Sequence, residues 1–227
     1  MILQIWVTAY FIAAIFCFLT SRFFIKSKNP SRLLLGYLVV ASGSWALLDG
    51  LTQLSKPETG LVIQYGVLFI STFVAFLFLF LSYSFMNPIK RKTLSLLILI
   101  PLFTGLLFSL FSDVFSYAQK RYLNGFSYIH IVYNDINYGV TILLLLIPLL
   151  IGFILIGKAL KTTKDVNLRR NIKFFTAGML LAVTSSYVLG SGEVFFHLPP
   201  LSSITISIGI GISSLSFKTK SMPHSTM

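Results

Sequence analysis

The chain has 227 residues, 56% hydrophobic and only 11% charged, with a formal net charge of +12. Soluble domains average about 25% charged residues, so this composition sets the chain apart from soluble globular enzymes. The basic residues sit in short segments between apolar runs and form no separate basic domain, which argues for orientation in a bilayer and against nucleic acid as a partner.

The apolar runs are about 17 to 26 residues long, enough to cross a hydrocarbon core about 30 Å thick. The first is Ile2 to Thr20. No basic residue precedes it, and Arg22, Lys26, Lys28 and Arg32 follow it. A secretory signal has the reverse arrangement, so the reading is an uncleaved anchor with its amino terminus outside. Span two is Leu33 to Leu54 and span three Leu61 to Met86, joined by a turn with Pro57 and Gly60 as breakers. Span four is Leu94 to Phe111, and Pro101 offers it a kink, as Pro148 does span five. In the segment that follows, Asn124-Gly125 lies between alternating aromatic and aliphatic residues, which predicts a β-hairpin over Tyr117–Leu123 and Phe126–Tyr133. An irregular interfacial loop with Tyr and Phe at headgroup depth is the alternative. Span five is Asp135 to Gly157, span six Phe174 to Ser191 and span seven Leu201 to Phe217, before a polar tail, residues 218–227.

Between spans five and six, Lys158 to Lys173 carries six basic residues against one acid, Asp165. Cytoplasmic loops of membrane proteins carry the excess of Lys and Arg. With this loop inside, 15 of the 18 basic residues fall on the cytoplasmic side, leaving Lys56, Lys120 and Arg121 outside. The expected fold is an all-α bundle of seven transmembrane helices in the inner (plasma) membrane. Its amino terminus is outside and its carboxyl terminus is cytoplasmic, with the small hairpin outside between helices four and five.

Chemistry-bearing residues are few. Cys17 is the sole cysteine and lies within an apolar run, so it reads as a buried apolar residue. The three histidines, His130, His197 and His224, lie in loops or the tail, and ligands so dispersed do not make a metal site. Span seven has no lysine for a retinal Schiff base. The chain has no phosphate-binding glycine loop, no G-x-S-x-G elbow and no H-E-x-x-H. The expectation is a non-enzymatic protein without cofactor or metal.

Span two carries Ser42, Trp45, Asp49 and Gln53 at helical spacing on one face. A carboxyl in a span usually faces a cavity or a partner, but Asp49 is near enough to the helix end to reach water instead. Thr184 to Tyr187 in span six, and Ser202, Ser203 and Thr205 in span seven, offer hydroxyls that either line a pocket or bond within their own helices. Thr205, Gly209 and Ser213 form a small-residue stripe suited to close packing. Polar faces turn inward in a closed bundle. The expected ligand site at the outer end therefore comprises Trp45, Asp49, Gln53, Asn137, Tyr138, Tyr187, Glu193 and His197.

Four stretches carry a resemblance: WALLDG (Trp45 to Gly50), YIHIVYNDINYG (Tyr128 to Gly139), NLRRNIKFFTAGMLLA (Asn167 to Ala182) and HLPPLSSI (His197 to Ile204). With an outside amino terminus, they make nearly the whole chain resemble the seven-helix amino-terminal sensor region of bacterial and archaeal histidine kinases. The resemblance implies a sensory module that binds a small or hydrophobic signal at its outer face. It departs from the family in ending ten residues after Phe217, without phosphoacceptor or ATP-binding domains. The expected output is therefore a separate kinase or other cytoplasmic protein, with the bilayer and a second copy in a homodimer as further partners. The rival reading is a small multi-pass carrier or channel, whose expected marks are deep charges and broken helices.

The charge division makes a direct test. A reporter fused after Phe217 should be active only in the cytoplasm, and one inserted at Asn124 only outside. Activity of both on the same side would overturn the topology.

Overall fold

A computed structural model of the protein describes residues 5–111, 113–123, 126–196 and 201–218. These residues are mostly helical, with one small sheet. Helices α1 (Ile5–Ile25), α2 (Pro30–Leu54), α3 (Pro57–Ser84) and α4 (Arg91–Phe111) precede strands β1 (Phe115–Leu123) and β2 (Phe126–Tyr133). Helices α5 (Asp135–Thr162), α6 (Val166–Phe196) and α7 (Ser202–Ser214) follow, and a 3-10 turn, Leu215–Phe217, extends α7. Five helical stretches are long and apolar enough to cross a membrane: Val7–Ile25, Pro30–Leu54, Pro57–Ser84, Ile136–Thr162 and Val166–Gly190. Ser202–Phe217 is a shorter apolar helix. This is the make-up of a multi-pass membrane protein.

The helices outrun their apolar runs because polar residues cap them. The Asn29 side chain accepts from the Ser31 and Arg32 amides at 2.9 and 3.2 Å, and Pro30 occupies the first turn. Asp165 accepts from the Asn167 and Leu168 amides at 2.8 and 3.1 Å and starts α6. Only residues 163–165 of the basic stretch Lys158–Lys173 are non-helical, so most of its charges ride on the ends of α5 and α6.

The hairpin lies where alternation places it, with β1 starting two residues before the expected Tyr117. Its strands are antiparallel, with Leu123 opposite Phe126 and a register shift between Phe115 and Tyr117. The turn residues Asn124 and Gly125 lie outside the described residues.

α3 is central, packing on α2, α4, α5 and the hairpin, while α7 packs on α1, α2 and α6. At the end away from the hairpin, Phe78 of α3 and Phe85, just after it, meet Phe175 of α6 and Phe217, with ring centroids 5.5–6.2 Å apart. The Ser207 hydroxyl donates to the Ser42 carbonyl at 2.6 Å, and the Cys17 thiol donates to the Ser207 carbonyl at 3.1 Å, tying α7 to α2 and α1. By contrast α5 and α6 touch each other sparsely, and both expose apolar flanks, such as Leu143, Leu150, Leu181 and Val188.

The small-residue stripe is a packing face. A Cβ added at Gly178 would lie 2.5 Å from the Ser213 Cβ, and one added at Gly209 would collide with the Ala182 Cβ. A Cβ at Gly190, on the same helix α6, meets nothing within 4 Å. Gly178→Ala should therefore destabilise by about 1–3 kcal/mol through overpacking. Gly190→Ala should be neutral or stabilise by up to about 1 kcal/mol through helix propensity. Thermal unfolding in nanodiscs reads both, and equal effects would refute the close α6–α7 contact.

Candidate functional site

The hairpin end of the bundle encloses a cavity of about 390 Å³, within the ~300–1,000 Å³ range of small-molecule sites. Residues of α2, α3, α5, α6 and α7 form its walls, and Val114, Phe115, Ile131 and Tyr133 roof it. The antiparallel run of α2 into α3 creates its polar corner. Asp49 and Thr52 share one face of α2, and α3 returns alongside with Gln64 two turns in. The Gln64 amide donates to Asp49 Oδ1 and to Thr52 Oγ1, each at 3.2 Å, and the Thr52 hydroxyl passes on to the Leu48 carbonyl at 3.1 Å. Asp49 is 5% exposed. The indole of Trp45, one turn below, and the hydroxyl of Ser203 on α7 flank the same carboxyl. The Ser203 hydroxyl is fully buried and reaches no good hydrogen-bond geometry. No cation contributes to this corner among the described residues.

Aromatic rings form the rest of the upper chamber. Tyr133 and Tyr138 lie 4.2 Å apart between centroids, and Phe115 meets Tyr65 edge-on at 4.9 Å. Below them the walls become aliphatic, with Leu145, Leu146 and Leu149 of α5 facing Val183 of α6 and Ile206 of α7. The chamber offers one carboxyl, one amide and several hydroxyls in an apolar, aromatic cup. That set binds and orients a ligand.

Four of the eight residues expected to make the site line the cavity: Trp45, Asp49, Tyr138 and Tyr187. Two serve the roof instead. Gln53 spends both ends of its amide on the backbone of one residue: Nε2 donates to the Ile129 carbonyl at 3.2 Å, and Oε1 accepts from the Ile129 N–H at 2.8 Å. Asn137 Nδ2 donates to the Asp113 carbonyl at 3.0 Å, fastening α5 to the segment before β1. The Glu193 side chain and His197 lie outside the described residues. Sequence reasoning passed over Gln64, Ser71 and the roof residues. The usable signal was Gln64, the lone amide in span three, where hydrocarbon would leave it unbonded.

Gln53 thus acts as an extra strand edge that pins the roof to α2. Gln53→Leu should cost about 1–3 kcal/mol for two lost hydrogen bonds and speed hydrogen exchange at the Ile129 amide. Unchanged protection there would show that the roof is held by other contacts. Compared with known protein families and with curated proteins, the chain shows no match, so its function has to be argued from this site.

Proposed function

We propose that the chain is a seven-span sensory module of the plasma membrane, resembling the input region of histidine kinases. Its amino terminus and hairpin are outside, and its carboxyl terminus is cytoplasmic. It binds a small ligand in the roofed chamber and passes the event to a cytoplasmic output partner. The observation that carries this reading is the convergence of Trp45, Asp49, Gln64, Tyr138 and Tyr187, from four helices, on one cavity at the hairpin end. The division of basic residues supports the orientation.

The packing supports a route for the signal. The chamber lies between helices that separate readily, since α5 is anchored on α3 and meets α6 only sparsely. At the far end the phenylalanine cluster joins α3 to α6 and to Phe217. A ligand that fits one spacing of α5 and α6 better than another shifts the balance between them. That shift appears at the basic ends of the helices, where a partner docks.

A plug tests the reading without a known ligand. Ser71 and Ser186 line the cavity from α3 and α6, so Ser71→Phe and Ser186→Phe fill it from opposite walls. Spin labels at Lys90, Lys161 and Arg170 report helix-end distances in nanodiscs. At least one plug should shift the Lys161–Arg170 distance distribution while the protein stays folded. Folded plugs that leave every distance unmoved would sink the sensory reading.

A further inference from the structure

We propose that the cavity takes an amphiphile with an organic ammonium head, which enters from the outer leaflet between α5 and α6. This assignment rests on the ligand-binding role proposed for the chamber.

The charge of the head follows from the lining. Asp49 is the only charged side chain among the described lining residues, with no Lys, Arg or His. It is 5% exposed, and the groups that approach it are an amide, an indole and a hydroxyl, all neutral. Removing a carboxylate from water without a cation is costly in a bilayer, and so is placing an anion beside it. A carboxylate or phosphate head is therefore disfavoured. Trp45, Phe115, Tyr133 and Tyr138 present rings to the same chamber, and ring faces attract desolvated ammonium groups. One acid within an aromatic cup matches an organic ammonium better than a neutral polar head.

The tail follows from the lower chamber. Leu145, Leu146, Leu149, Val183 and Ile206 make a trough with no charged group. From Thr141 to Leu149, the α5 wall is about 12 Å long. A head bound at Asp49 directs its chain down this trough, toward the middle of the bundle.

The mouth decides the route. In the roof, Val114, Phe115 and Ile131 are all at least nine-tenths buried and Tyr133 is partly buried. Tyr187 lines the cavity and is 56% exposed, with exposed Val188 beside it. The opening therefore lies on the apolar flank of α6 that faces lipid, at the sparse α5–α6 seam.

The test uses the full chain in nanodiscs with Trp6→Phe, which leaves Trp45 as the one tryptophan. Its fluorescence is titrated with decyltrimethylammonium, decanoate and tetramethylammonium. Decyltrimethylammonium should give a saturable change, with affinity about tenfold or more above both other probes. Asp49→Asn should lose about tenfold in affinity for decyltrimethylammonium while decanoate, freed of the like charge, binds no weaker and gains affinity, and Asp49→Glu should retain the preference. Equal binding of decanoate, or a preference that survives Asp49→Asn, would overturn the charge assignment. Tetramethylammonium binding as tightly as the decyl compound would overturn the tail and the lateral route. No saturable change with any probe would overturn the ligand class alone. The sensory reading has its own arbiter in the helix-end distances, which need no ligand.

Discussion

Hydrocarbon offers no hydrogen bonds, and this sorts the polar side chains of the bundle by their reach. Most short hydroxyls bond to the helix that carries them, although Ser207 of α7 reaches the Ser42 carbonyl of α2 and Ser109 of α4 the Tyr65 carbonyl of α3. Ser42 donates to Leu38, Ser82 to Phe78 and Thr176 to Ile172, each to a carbonyl four residues back. Such bonds join nothing to anything else. The longer amides find their partners on other elements. Gln64 ties α3 to α2, Gln53 ties α2 to β2, and Asn137 ties α5 to the segment before β1. All three cross-links lie at the hairpin end. The roofed chamber lies where these long amides cross between elements.

The same sorting explains how much was legible beforehand. Apolar run length and charge position indicated the helices, and alternation around Asn124-Gly125 indicated the hairpin strands to within two residues. Trp45 and Asp49 were legible as cavity residues because a polar stripe on a membrane helix turns toward protein. Gln53 shares that stripe, yet one more turn lifts it out of the bundle to the level of β2, where a peptide edge claims its amide. Nothing within α2 distinguishes the two fates, since the height of the hairpin above the helices is a tertiary property. Gln64 was missed because the rest of its span, Leu61 to Met86, is apolar or hydroxylic and shows no stripe. The basic stretch from Lys158 to Lys173 reads as a loop by composition. Asp165 caps α6 early, so helix continues through most of it.

Two kinds of contact divide the bundle. Glycines set the close ones. A Cβ at Gly43 would lie 2.8 Å from Cys17, locking α2 on α1, and one at Gly178 would meet Ser213, locking α6 on α7. On the other side, a Cβ at Gly152 would lie 2.6 Å from the Phe78 ring and one at Gly105 would lie 2.7 Å from that of Phe69, locking α5 and α4 on α3. These fits make α1, α2, α6 and α7 one packed group and α3, α4 and α5 another. The groups meet where α2 lies on α3 and where the phenylalanines interlock.

The α5–α6 seam has no comparable fit. Gly157 on α5 and Gly190 on α6 face open space, so neither helix uses its small residues to approach the other. Close-packed surfaces resist displacement because every contact must yield at once, and a sparse seam does not. The cavity lies along this seam. A volume placed there lies against a sparsely packed boundary, while the phenylalanine cluster joins α3, α6 and Phe217 at the opposite end. On the sensory reading proposed above, a change of spacing at the chamber is expressed as a change of angle between the two packed groups, at the helix ends that carry the basic residues.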